Sequence, residues 1–92
     1  MPRLNDARLN EALASLHDWR HEDGQLVRDF EFRDAVEALG FIVRVAALQE
    51  RANHHATITA TYNRVGLALT THDEGGITDR DVALARDIDE RA

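Results

Sequence analysis

Residues Thr57 to Thr71 read TITATYNRVGLALTT, and this stretch decides the fold. On both sides of Asn63, apolar side chains alternate with small or polar ones, the period of two that is typical of β-strands. Asn63-Arg64 is predicted as a two-residue turn, because asparagine tolerates positive φ. In that register Tyr62 lies opposite Val65. The stretch is predicted to form an antiparallel hairpin with one apolar face, made by Ile58, Ala60, Tyr62, Val65, Leu67 and Leu69.

A second hairpin is predicted upstream. In the segment Leu26 to Phe32, one face carries Val27, Asp29 and Glu31, and the other carries Arg28, Phe30 and Phe32 and is apolar at its end. It is separated from the strand-like residues 19–21 by a polar turn, residues 22–25, that contains Gly24. The two hairpins together predict a sheet of four strands.

Three helices are predicted around these hairpins. Apolar residues recur at helical spacing after Asn5, after Asp34 and after Thr78, each of which is a suitable N-cap. Glu37 and Asp81 stand three residues after the second and third caps, the capping-box spacing. The central helix is expected to end near Ala52. Its buried stripe is predicted to be Val36, Leu39, Val43, Ala46 and Ala47, and that of the last helix Val82, Ala85 and Ile88.

The predicted fold class is therefore α+β: a two-layer α-β-β-α-β-β-α domain over residues 1–92, with three helices on one face of the sheet. One sheet face and the strand edges stay uncovered, and a domain of 92 residues buries a limited share of its apolar surface. Both features favour association of subunits into a homo-oligomer.

Composition excludes several classes of function. The formal net charge is −6, whereas general nucleic-acid binding needs clustered Lys and Arg. The chain has no cysteine, so disulfides, iron–sulfur clusters and thiol catalysis are excluded. No apolar run reaches membrane-spanning length, and residues 1–6 lack the apolar core of a signal peptide. The cytoplasm is the expected location, with no membrane partner.

Histidines are the candidate catalytic side chains. His54-His55 precede the first strand of the Thr57–Thr71 hairpin, and His72 follows its second strand. The start of the first strand and the end of the second lie at the same end of an antiparallel hairpin. These three histidines are thus expected to meet at one rim. Histidine has an ordinary pKa of about 6.5, so such a cluster indicates proton transfer near neutral pH.

Other interpretations of these residues stay open. A His-His pair in a loop is commonly a solvated pair, and three histidines can bind zinc with an open water position. Asp81 is a capping-box residue, but with Glu50 and Asp73 it also belongs to the carboxylates that could orient the imidazoles. His17 and His21 are predicted at the surface and Trp19 in the core.

Four segments carry a resemblance to a known family: Glu50 to His55, Tyr62 to Val65, Thr70 to Asp73, and Gly76 to Asp81. Together they resemble the pterin-4a-carbinolamine dehydratases, and the resemblance runs from about Leu16 to Ile88. It implies a small α+β enzyme that removes water from 4a-hydroxytetrahydrobiopterin, a pterin substrate, to give the quinonoid dihydropterin. It also implies homodimers or tetramers whose sheets join across subunits, and no metal or organic cofactor.

The same resemblance implies roles for individual residues. The three histidines, His54, His55 and His72, are the expected acid/base set, with the order of donor and acceptor left open. The expected substrate-binding or orienting residues are Glu50, Asn53, Thr71, Asp73 and Asp81.

Two departures from the family pattern follow the histidine pair. Ala56 stands where a proline is usual, and Thr57 where an acidic residue is frequent. Proline fixes φ and restricts the residue before it, so Ala56 is expected to loosen the position of His55. The histidines and the resemblance leave three rival functions open: a regulatory partner on the same fold, a metal-binding protein, and a role in molybdopterin metabolism.

Overall fold

A computed structural model describes residues 2–92. Met1, the first residue of the segment predicted to lack a signal core, lies outside the described residues. The helices and strands follow the predicted order: α1 Asp6–Ser15, β1 Arg20–Glu22, β2 Gln25–Glu31, α2 Ala35–Ala52, β3 Thr57–Thr61, β4 Arg64–Leu69 and α3 Asp79–Arg91. The strands form one antiparallel sheet in the order β1-β2-β4-β3. The predicted α+β fold class is confirmed.

The β3–β4 hairpin has a different turn from the predicted one. Thr61 pairs with Arg64 and Ala60 with Val65, so the turn is Tyr62-Asn63. Tyr62 takes the positive φ, 52°, and is 71% exposed, so its predicted position on the apolar face is wrong. Asn63 is the second residue of the turn, and its side-chain amide donates to the carbonyl of Phe32 at 2.8 Å. The register moves by two residues, which keeps the other side chains on their predicted faces.

The core lies between the sheet and the helices. Along β4, Val65, Leu67 and Leu69 are buried, as predicted from the alternation. They join Leu9 of α1, Phe41 of α2 and the buried stripe of α3 in one apolar cluster. Trp19 is also in this cluster, and its indole N–H donates to Asp89 Oδ1 at 2.9 Å. The opposite face of the sheet is exposed or half-buried.

The predicted buried stripe of α2 is wrong. The helix buries Ala38, Phe41, Val45 and Gln49. Val36, Leu39 and Val43 are at least 60% exposed, and Ala47 is exposed beside them. Both sets have helical spacing, so periodicity allowed either face, and the face that carries the aromatic ring of Phe41 is the buried one. We call the outward set, Val36, Leu39, Val43 and Ala47, the α2 surface stripe.

The helix caps follow the sequence with one change. Asn5 accepts from Arg8 N, and Asp34 accepts from Glu37 N, both at 2.9 Å. Glu37 does not complete the predicted capping box, because its carboxylate accepts from Arg33 N instead.

Among the described residues, none of the helices combines the length and apolar character needed to cross a bilayer.

Candidate active site

The three predicted histidines line one pocket of about 270 Å³ at the end of the β3–β4 hairpin. His54 and His55 enter from the loop after α2, and His72 enters from a short 3₁₀ turn after β4. The other lining residues are Asn53, Thr70, Thr71, Asp73 and Arg80. The antiparallel hairpin therefore brings together side chains that are separated along the chain.

His54 is held by a buried carboxylate. Its Nε2 lies 2.5 Å from Asp81 Oδ1, and both side chains are buried. Asp81 Oδ2 accepts from Thr71 Oγ1 at 2.8 Å and from Thr78 N at 2.9 Å. The two donors to Oδ2 are the pattern of an ionised carboxylate, which only accepts, so we assign the proton of the short contact to His54 Nε2. Nδ1 is then the nitrogen of His54 that can take up or release a proton.

Asp81 serves two structures at once. It is the third residue of α3 and forms the predicted capping box with Thr78, whose backbone N–H it accepts. Its other oxygen binds His54, so the cap and the orienting contact share one side chain. The two interpretations of Asp81 from the sequence are therefore compatible, and the start of α3 fixes the ring of His54.

Thr71 extends this buried network to the strand that leads to His72. Its hydroxyl donates to Asp81 and lies 2.9 Å from the hydroxyl of Thr78. The backbone of Thr71 pairs with Gly76, which closes the loop that carries His72. Gly75 ends the 3₁₀ turn with φ of 70°, a conformation that favours glycine. The position of His72 is thus linked to the support of His54.

His55 has a different environment. Its Nε2 lies 2.5 Å from Glu50 Oε2, and both side chains are exposed. Glu50 lies in the last turn of α2, five residues before His55. This pair confirms that Glu50 is in reach of a histidine. Asp73 lines the pocket, and the hydrogen bonds found among the described residues do not include its side chain.

Asn53 acts through its backbone. It ends α2 with φ 50° and ψ 44°, the left-handed conformation that turns the chain toward the histidine pair. Its carbonyl accepts from Arg80 Nη2 at 2.6 Å. Arg80 lies in the pocket wall next to Asp81, and the sequence reasoning assigned it no role. Its position directly before Asp81 at a helix start is the only signal the sequence offered.

Gln49 was also missed. It is a polar residue on the buried face of α2, 6% exposed, and its Oε1 accepts from Ala56 N at 2.7 Å. The predicted α2 stripe excluded it from the core, so its contact with the loop after the histidines could not be anticipated.

The described residues contain no group of three or more His, Cys, Asp or Glu side chains arranged to hold a metal ion. The imidazoles of His54 and His55 are instead engaged by separate carboxylates on α3 and α2. A larger concave surface, about 820 Å³, covers the open face of the sheet. It contains none of the histidines.

Comparison with known proteins identifies the family. The family model described as pterin 4 alpha carbinolamine dehydratase matches residues 2–91. The chain belongs to this family. A relative from Chloroflexus aurantiacus is 50% identical over 90 residues, covering 98% of this chain and 97% of its own. A relative from Thermomicrobium roseum is 49% identical over 92 residues, covering 100% of this chain and 99% of its own. Both are named, provisionally, as pterin-4-alpha-carbinolamine dehydratases.

Solved structures agree with the fold of this family. A transcriptional coactivator/pterin dehydratase from Brucella melitensis superposes with a TM-score of 0.91 at 37% identity, over 96% of both chains. A pterin dehydratase-like protein identified as a RuBisCO assembly factor of the α-carboxysome has a TM-score of 0.65 at 20% identity, over 78% of this chain and 83% of its own. The second likeness extends to the fold alone.

Proposed function

We propose that this family member catalyses the dehydration of a 4a-hydroxytetrahydropterin to the quinonoid dihydropterin and water, by histidine general acid/base catalysis. The observation that carries the proposal is the pocket lined by His54, His55 and His72, with His54 oriented by the buried Asp81. Membership of the pterin carbinolamine dehydratase family supplies the substrate class. The chain has no cysteine, which fits a reaction in the reducing cytoplasm.

The reaction needs one acid and one base at close range. The C4a–O bond breaks with its electron pair on oxygen, and the hydroxyl takes a proton from the acid and leaves as water. N5 gives its proton to the base, and its electron pair forms the N5=C4a double bond. No electrons are exchanged with a partner, and one proton is taken up for each one released. Histidines near neutral pH can perform both proton transfers.

The geometry supports a particular part for His54. When Nε2 donates to Asp81, Nδ1 is free to exchange a proton with the pterin. If the ring becomes an imidazolium, the adjacent carboxylate stabilises its charge, as in other His–Asp pairs. His55 and His72, which are more exposed, supply the complementary proton transfer.

The test is a dehydratase assay in which a phenylalanine hydroxylase generates the 4a-hydroxytetrahydropterin and the quinonoid product is followed. Wild type is expected to accelerate dehydration. His54→Ala and His72→Ala are each expected to reduce kcat by about 100-fold or more, because each removes a general acid or base. His21→Ala, an exposed histidine outside the pocket, is the matched control and should retain full activity. A folded wild type with no acceleration would refute the proposal.

A second function has one observation in its favour. The Brucella melitensis protein is described as a transcriptional coactivator as well as a pterin dehydratase. Under this alternative the α2 surface stripe, an exposed apolar helix face, joins this chain to a different protein in a mixed oligomer. Under this alternative, His54→Ala would leave the biological role intact, whereas a charge in the stripe would remove it.

We also propose that the chain forms a homo-oligomer through the α2 surface stripe. Three of the exposed large apolar side chains, Val36, Leu39 and Val43, fall on this one helix face. An isologous contact would bury each stripe against its copy. Val43→Glu is expected to lower the molar mass of the oligomer in size-exclusion chromatography with light scattering. Tyr62→Glu is the control, because Tyr62 is similarly exposed but lies in the β3–β4 turn. This variant should leave the oligomer unchanged.

A further inference from the structure

We propose that Gln49 is a positioning residue for the histidine pair, and that its hydrogen bond to Ala56 restrains the loop as a proline at position 56 would. The part of this proposal that concerns catalysis rests on the proposed dehydratase function. The part that concerns the loop stands on the contacts of Gln49 alone.

Gln49 holds the chain on both sides of His55. Its side-chain Oε1 accepts from Ala56 N at 2.7 Å. Its backbone carbonyl accepts from His54 N at 3.1 Å, a bond across five residues of the kind that closes a Schellman motif. One residue of α2 therefore receives the N–H groups of the residues before and after His55. We call this pair of hydrogen bonds the Gln49 clamp.

The burial of Gln49 indicates that its side-chain hydrogen bond is important for the structure. The side chain is 6% exposed on a helix face that otherwise buries Ala38, Phe41 and Val45. A buried amide is unfavourable unless it is hydrogen-bonded, and an apolar residue would fill this place without that requirement. The bond to Ala56 satisfies the buried oxygen.

Ala56 makes the clamp necessary. Alanine leaves φ free and adds an N–H group, both of which a proline would remove. The residues His54 to Ala56 belong to no helix or strand, and apart from the bond from His54 N to the Gln49 carbonyl no repeating backbone pattern fixes them. Without Gln49, this half-buried N–H would lack its protein partner, and the loop would hold the two rings less firmly. Loosening of His55 by Ala56, expected from the sequence, is opposed by this contact.

The ring of His54 is then fixed from two directions. Asp81 holds Nε2 from α3, and Gln49 holds the backbone from α2. A catalytic ring displaced by about 1 Å can lose about 100-fold in rate, so a firm backbone matters for proton transfer.

A double-mutant cycle tests the proposal, with wild type, Gln49→Met, Ala56→Pro and the double variant. Methionine keeps the volume of glutamine and removes the acceptor. In Gln49→Met the Ala56 amide is expected to exchange with solvent about 10-fold faster, and kcat to fall about 10-fold with a smaller change in KM. In the double variant, proline removes the N–H and restricts φ, so kcat should recover to within about 3-fold of wild type. Gln25→Met, at the chain's other glutamine, is the control. It should change neither the exchange rate of the Ala56 amide nor kcat.

The cycle also separates failure of the clamp from failure of the proposed function. The ring ¹H–¹⁵N signals of His54 and His55 should broaden in Gln49→Met and sharpen again in the double variant, whether or not the protein dehydrates pterins. Unchanged Ala56 exchange and unchanged ring signals in Gln49→Met would overturn the proposal. The proposal would also be overturned if Gln49→Met lowered kcat or broadened the ring signals and the addition of Ala56→Pro did not restore them. If Gln49→Met does not fold, a folded double variant with wild-type ring signals supports the clamp, and an unfolded one contradicts it.

Discussion

Two histidines that line the candidate active site, His54 and His55, each pair with a carboxylate, and the two pairs differ in burial rather than in distance. His54 to Asp81 and His55 to Glu50 each measure 2.5 Å. The first pair has side chains 9% and 0% exposed, and the second 52% and 76%. Water and ions screen the exposed pair, whereas the buried carboxylate depends on its protein donors. Although the two distances are equal, we expect the buried His54–Asp81 pair to contribute more to stability and to catalysis than the exposed His55–Glu50 pair.

The largest expected difference between the pairs is in stability. Asp81→Ala removes the carboxylate that completes the α3 capping box and leaves the donors of His54, Thr71 and Thr78 without this acceptor. We expect a loss of about 3 kcal/mol in the free energy of unfolding, as for other broken buried pairs. Glu50→Ala should cost less than about 1 kcal/mol, because its pair is exposed. Urea unfolding of both variants measures the difference, and similar losses would show that burial does not separate the pairs.

The next difference is in activity. Asp81→Asn keeps the shape of the side chain, but its amide N–H₂ can face His54 Nε2 and require that nitrogen to accept. The tautomer of His54 would change, and we expect kcat for dehydration to fall by about 100-fold. Glu50→Gln should change kcat by less than about 3-fold, because water can replace the exposed contact. If Glu50→Gln were the more damaging of the two, His55 rather than His54 would be the better-oriented catalytic group.

The smallest difference is in the response to salt. Between about 0.05 and 1 M NaCl the Debye length falls from more than 10 Å to about 3 Å, which screens exposed charges much more than buried ones. The modest rate difference between wild type and Glu50→Gln should shrink in high salt. The difference between wild type and Asp81→Asn should persist. Steady-state assays at the two salt concentrations provide the measurement, and a persistent Glu50 effect would indicate a contact shielded from solvent.

The helices and strands were predictable because their signals are local. Alternation identified β4, and capping residues identified the starts of α1, α2 and α3. The meeting of His54, His55 and His72 was predictable as well, since it follows from hairpin geometry. The two-residue turn was misplaced by one position, because Asn63 is bound to Phe32 and Tyr62 takes the positive φ instead.

The orientation of α2 was not predictable from its spacing. The helix carries one apolar set that includes Val36 and Leu39 and another that includes Phe41 and Val45, and both repeat with helical periodicity. Only packing against the sheet selects between them. The same choice buries Gln49 and places its amide beside Ala56, so the clamp was hidden as long as the wrong face was assigned to the core.

The sequence by itself determined the order of helices and strands, the rim at which the histidines meet and the resemblance that names the family. These depend on neighbours along the chain and on the fixed geometry of a hairpin. Only the tertiary structure decided which face of α2 is buried, which histidine receives the buried carboxylate and which residue holds the loop between them. Those outcomes depend on contacts between distant segments, because burial and hydrogen bonding are set by the partners that packing brings into reach.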